Sequence, residues 1–308
     1  MISNFFSQSK PINFVVVSFL LLTVFVLTKH FNLEIDLSLF FISKQIVLFG
    51  VCLFSVFVFD FLVNKNNLTK KNSYRILLFV LFFAILPETI LNSKTLLANL
   101  FVLFAIRRII SVRTKKDVKK KLFDASFWIT LAACLHFWTL LFFALIIAAL
   151  IVYVIVDIKN WLIPITGFAT VMIIVLSYLI LTQQDFTEVF NMELIQVSFD
   201  FSPLNSKRII IGSTLIFSFG LWSMFYYLKN LKSKTKSLRP SYTLIIVAVI
   251  IGLLIIVLSP VKNGGEFIFM FAPLSIIITN YFEVTSEKWF KETLLWVLLL
   301  TPLAILLL

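Results

Sequence analysis

The sequence predicts an all-α polytopic transmembrane helical bundle of about eleven spans, and three observations predict it. Sixty per cent of the residues are hydrophobic and 14% charged, where a soluble domain carries about 25% charged residues. Apolar runs close to the ~20 residues of a spanning helix recur along the whole chain. The basic residues gather in short connections on alternate sides of those runs, as cytoplasmic loops do. Within 308 residues this leaves no stretch for a separate soluble domain, so 1–308 reads as one integral membrane domain.

Eleven apolar segments are expected as spans, at 12–28, 45–63, 75–91, 95–106, 122–135, 138–156, 162–182, 209–228, 242–259, 267–282 and 293–308. Several are short or paired as hairpins, the fourth and fifth most of all. The polar start, 1–13, carries one Lys and no small-residue cleavage site follows it, so the first run reads as a retained span. The block 107–121 holds Arg107, Arg108, Arg113, Lys115, Lys116, Lys119, Lys120 and Lys121 and anchors the cytoplasmic side. With the N-terminus inside and the C-terminus outside, only Lys29, Lys44, Lys94, Lys207, Arg208 and Lys262 of the 27 basic residues fall on the outer side. The run 127–156 reads as one long helix or as two folded at Leu135-His136-Phe137-Trp138. A single helix would invert everything downstream and worsen the charge balance, which selects the hairpin. Two further short spans meet at Asn92-Ser93-Lys94.

The net charge of +12 is accounted for by those loops, so nucleic acid is not an expected partner and membrane lipid is. Cys52 and Cys134 lie inside apolar runs without disulfide or metal spacing and read as packing residues. No phosphate-binding loop, zincin helix, serine elbow or CxxC pattern occurs, and neither cofactor nor metal is predicted. The 36 Phe are read as composition and not as a binding stripe.

Charged groups at membrane depth need a reason. Asp60 reads first as an interfacial acid paired with Lys65 or Arg107. Glu88 follows Pro87, which removes a backbone hydrogen bond where the acid sits, so the helix is expected to break around a wet cavity. Two polar stretches lie on the outer side. The first, 30–43, holds Glu34 and Asp36. The second, 183–208, holds Asp185, Glu188, Glu193 and Asp200 and is long enough to lie in the interface as an amphipathic helix covering a substrate. His136 at an outer turn can bind phosphate or move a proton, or simply anchor beside Trp138. Lys207, Arg208, Lys29 and His30 stand at outer helix ends, where they grip a phosphate or snorkel.

The stretches Ser9 to Phe14, Asn64-Lys65-Asn66 with Leu68-Thr69, Phe83 through Glu88, Arg107-Arg108 with Ser111, Lys121 through Ser126 and Asn160 through Pro164 resemble an uncharacterised family of polytopic inner-membrane proteins of Bacteroidetes. That likeness covers mainly residues 1 to about 170 and implies no activity. A remoter similarity is to GT-C type glycosyltransferases and O-antigen polymerases, in which an Arg-rich inner loop precedes Phe-Asp-Ala-like residues opening two short helices. Those transferases place an acid in the first external loop, where Glu34 or Asp36 stands here, although this chain has no Asp-x-Asp. The resemblance implies a bacterial inner-membrane transferase acting at the outer, periplasmic face on a polyprenyl-phosphate-linked glycan. In that reading Asp36 or Glu34 is the base, Arg208 with His136, Lys207 and Lys29 holds the phosphate, and Glu88 shapes the cavity floor. These groups should converge on one outward pocket within roughly 10 to 12 Å. The alternative is a non-catalytic partner or scaffold of an envelope assembly or secretion complex, bound to another membrane protein; a transporter is third.

Overall fold

The computed structural model describes residues 2–32, 38–183, 196–285 and 287–306. It is 83% helix, with no strand among the described residues. We number the helices α1 (Ile2–Phe6), α2 (Pro11–Asn32), α3 (Leu39–Asn66), α4 (Tyr74–Ile85), α5 (Glu88–Leu91), α6 (Ser93–Ser111), α7 (Val118–Leu135), α8 (Phe143–Val152) and α9 (Ile158–Thr182). They continue as α10 (Lys207–Leu231), α11 (Arg239–Leu258), α12 (Ile268–Val284) and α13 (Lys288–Leu306).

Over the described residues each of the eleven apolar segments is mainly helical, but the expected span count is not reached by length. Among the described residues seven helices are long and apolar enough to cross a membrane alone: α2, α3, α6, α9, α10, α11 and the 265–284 segment that contains α12. The shortfall has a physical cause. Helix α4 has 12 residues, about 18 Å of rise against a hydrocarbon core of about 30 Å. All 12 of its residues are buried, so its neighbours are protein and not lipid. Helix α12 is its counterpart, buried from Ile268 through Phe282. The two pack together, with α2, α3 and α13 around α4 and with α10, α11 and α6 around α12. Outside this pair lies a second layer in which α6 packs on α7 and α7 on α9.

The run 127–156 is a hairpin. Helix α7 stops at Leu135, His136 adopts an extended conformation (φ −146°, ψ 99°), and a 3-10 segment Phe137–Phe142 leads into α8, which returns along α7. The break at Pro87 is also present: α4 ends at Ile85, Leu86 leaves the helix, and Glu88 opens α5. Asn92 then caps α6, its Oδ1 accepting from the amides of Lys94 and Thr95 at 3.0 and 3.2 Å. Gly212 of α10 packs against this break; a Cβ there would meet the Ile85 carbonyl oxygen at 2.9 Å. Cys52 is buried as expected, whereas Cys134 is exposed on the surface of α7.

The opposite end of the bundle is fastened by a buried polar network. Asp60 is paired neither with Lys65 nor with Arg107 but with Arg75, whose Nε donates to its Oδ1 at 2.8 Å. The other guanidinium nitrogens donate to Asn64 Oδ1, Thr69 Oγ1 and the Lys70 carbonyl. Nearby, Glu283 accepts from the Lys70 amide at 2.7 Å and from the Asn72 side chain. Glu292 accepts the amides of Ile2 and Ser3, tying the N-terminus to α13.

Candidate functional site

At the bundle end opposite that network, three chain reversals meet: Pro87 to Asn92, the His136 turn, and the connection from Ser259 to Glu266. Each reversal has a local cause. Proline ends α4, the extended His136 ends α7, and Gly264, at φ +83°, lets the third connection turn sharply into the segment that carries α12. The last turn is internally braced. Asn263 Oδ1 accepts the Gly265 amide at 2.9 Å, and Glu266 Oε1 accepts the Asn263 amide at 3.1 Å. The missing side chain at Gly264 makes room for Glu88, since a Cβ there would lie 3.0 Å from the Glu88 Cβ.

Between these turns lies a cavity of about 180 Å³ lined by Asn92, Thr95, His136, Trp138, Asn263 and Glu266, with Lys94 at its edge. Its polar lining is incompletely satisfied. Glu266 is 2% exposed, and its Oε2 has no hydrogen-bond partner; neither have His136 Nε2 and Trp138 Nε1. On the far side of Gly264 the Glu88 Oε2 is in the same condition. A buried polar atom left unpaired costs roughly 1–3 kcal/mol, so Glu266, His136 and Trp138 leave hydrogen-bonding capacity beside the cavity that the protein itself does not use. The carboxylate oxygen accepts, the indole donates and the imidazole does either.

A model for a family of unknown function, DUF6427, matches residues 3–307. The chain belongs to DUF6427. No curated protein and no solved structure matches it. The family match thus runs over nearly the whole DUF6427 chain, beyond the first 170 residues that carry the resemblance seen in sequence.

The residues singled out from sequence distribute unevenly around the DUF6427 cavity. His136 lines it, its ring 5.1 Å from that of Phe269, and burial pushes its pKa down to about 4. Its imidazole is therefore neutral near pH 7 and brings no positive charge. Arg208, half-buried at the start of α10, stands close enough for its charge to act on Glu88, while Lys207 is exposed. Lys29 is turned elsewhere: it is buried over the Phe25 ring, near Cys52 of α3. Glu34 and Asp36 lie outside the described residues, as do Asp185, Glu188 and Glu193. Of the long connection, 196–206 is described, and there the Ser198 amide donates to the carbonyl of Leu258. Lys262 secures this contact: its Nζ donates to the carbonyls of Ser198 and Ser259 and lies 4.9 Å from the Phe201 ring centre. Burial lowers its pKa, with Glu266 and Asp200 opposing.

Of the other cavity residues, Glu266 reads in the sequence only as one of several outer acids and Asn263 is not singled out at all, while Trp138 reads as an interfacial anchor. A signal for the first two exists: the chain has seven glycines, and two of them adjoin in Asn263-Gly264-Gly265-Glu266, a turn built directly before an acid.

Proposed function

We propose that this chain is a multi-pass inner-membrane protein with eleven traverses, its N-terminus cytoplasmic, and that the cavity at its outer end holds the hydroxylated head group of a lipid-linked glycan. The observation that carries this reading is the set of unpartnered buried atoms, Glu266 Oε2, His136 Nε2 and Trp138 Nε1, around one cavity. Seven helices cross alone; α4, α7, α8 and α13 complete the count as traverses sheltered by their neighbours. The charge asymmetry of the loops supports the orientation. Arg208 and Lys207, near Glu88, supply cations for a polyprenyl phosphate, Arg because its fork holds two oxygens at once. His136 enters as a neutral hydrogen-bonding ring. In the transferase form of the reading Glu266 accepts the proton of the acceptor hydroxyl, alone or with Glu34 and Asp36.

The test is a titration of the purified protein in detergent with a short-chain polyprenyl-phosphate sugar and with the same polyprenyl phosphate lacking the sugar, read by thermal stability. The sugar-bearing compound should stabilise the wild type more, and the difference should vanish in Glu266→Gln and Trp138→Phe. Equal stabilisation by both compounds overturns the head-group assignment. Absence of any effect leaves the scaffold as the better description.

A further inference from the structure

The cytoplasmic end carries a second arrangement that the reading above does not use. On α3, Phe54, Phe61 and Lys65 share one helix face, at intervals of seven and four residues. Phe54 and Phe61 are about half exposed toward the surroundings of the bundle, and the Phe54 ring packs edge-on against Phe104 of α6, which in turn meets Trp128. At the head of this aromatic strip two cations sit on one ring. Lys65 Nζ is 5.2 Å and the Arg107 guanidinium carbon 4.9 Å from the centre of Phe61. Two charges sharing one ring at those distances stand within about 10 Å of each other, separated in sequence but brought together by the packing of α3 on α6.

Neither forms an ion pair within 4 Å: among the described residues the ion pairs are Arg75 with Asp60 and Arg108 with Asp124, and Asp124, already held by Arg108, acts on Arg107 only from a longer distance. Lys121, close enough to feel Lys65, adds a further charge while its Nζ donates to the Ser111 carbonyl and Thr114 Oγ1. Like charges repel, so an anion held between them would relieve a repulsion that Asp124 offsets only for Arg107. The depth of the strip says which kind. From Phe54 to Lys65 is 11 residues, about 16 Å along a helix, close to one leaflet of the hydrocarbon core.

We propose that Lys65 and Arg107 bind the phosphate of an anionic phospholipid of the inner leaflet, whose acyl chain lies along Phe61, Phe54 and Phe104. A phosphate accepts from both cations at once, and the aromatic rings below it provide the apolar surface that a free anion would not use.

The full-length protein in mild detergent, monitored by thermal stability and by native mass spectrometry of retained lipid, provides the test. The added probes are phosphatidylglycerol, phosphatidylcholine and inorganic phosphate. Phosphatidylglycerol should bind the wild type most tightly. Each of Lys65→Gln and Arg107→Gln should weaken it about five-fold, and the pair about thirty-fold. Lys65 is exposed, so Lys65→Gln removes a charge without touching the core. Phe54→Leu, which keeps an apolar side chain and lies one leaflet-depth away from the two cations, should weaken the lipid and leave any phosphate binding unchanged. Two results overturn the proposal. One is inorganic phosphate matching phosphatidylglycerol, which makes the site a free-anion site. The other is Lys115→Gln with Lys116→Gln costing as much as the Lys65 and Arg107 pair, which makes the effect a general field of the basic block. Neither result bears on the outer cavity, whose probes carry a sugar and whose residues lie at the other end.

Discussion

Replacing Arg75 by Met should destabilise the protein severely, and replacing Asp60 by Leu at the same time should restore most of the loss. Arg75 is 0% exposed, and its guanidinium serves Asp60 at 2.8 Å, Asn64 at 2.7 Å, Thr69 at 2.9 Å and the Lys70 carbonyl at 3.2 Å. Its loss leaves the Asp60 carboxylate buried with one remaining donor, the Asn64 side chain. Breaking a buried pair from one side costs about 3–5 kcal/mol, whereas exchanging both partners for apolar groups of similar volume is often close to neutral. For a chain of this size that corresponds to a fall in Tm of about 6–10 °C for Arg75→Met. The double variant should regain more than half of it. The assay is the fraction of protein remaining monodisperse in detergent after heating, for wild type, both single variants and the double. A fall below about 2 °C for Arg75→Met, or a double variant no better than the single, would refute the claim that this network is an interdependent buried unit.

Three further outcomes follow from the packing and the outer turns. Gly212→Leu must push α10 away from the Ile85 carbonyl, 2.9 Å from where its Cβ would stand, and should cost about 1–3 kcal/mol by overpacking; heat stability equal to wild type would contradict that contact. Gly264→Ala places a side chain at φ +83°, a cost of about 1–2 kcal/mol, and forces Glu88 to move, so it should lower stability and abolish the response to the polyprenyl-phosphate sugar together; an unchanged titration would separate Glu88 from the site. His136 titrates near 4 in the folded protein against about 6.5 unfolded. The unfolded chain thus takes up the proton first as pH falls. The corresponding stability is full above pH 6.5 and is lost toward pH 4, by up to about 3 kcal/mol. Melting curves of wild type and His136→Phe from pH 7.5 to 4.5 check this. Equal slopes would show that Glu266, Lys94 or groups elsewhere dominate.

The fold was legible where a residue acts on its own chain neighbours. Pro87 breaks its helix because proline lacks a donor, Asn92 caps the next because its side chain reaches the following amides, and the 127–156 run is the hairpin that charge balance favours, folded within the stretch Leu135 to Trp138. Partnerships across the bundle were not legible. Asp60 has Lys65 close by in sequence, yet packing delivers Arg75 from the next helix. The cavity was half visible: His136 stands out by residue type, as does Glu88 just beyond it, while Trp138 reads as an interfacial anchor until its indole N–H is found without a partner. Glu266 reads as one more outer acid until its burial is known. Length misled in the other direction. The run 95–106, read as one of the weakest, lies within the 19-residue α6. The run 75–91 reads as an ordinary span although its helix α4 has only 12 residues, and only the surrounding helices explain how so short a helix is covered.

That shortness has a consequence for how the protein is made. Helix α4 leaves the ribosome about 180 residues before α12, the helix that covers it. At 5–20 residues per second the interval is on the order of ten to forty seconds. Throughout it, a segment too short for the bilayer and carrying Arg75 must be held by the N-terminal helices or by an insertion chaperone. A chain cut before Ile268 never receives its cover, and the membrane quality-control proteases meet an open core. Stop codons late in the reading frame should therefore be as damaging as early ones, although they spare almost every residue of the outer cavity.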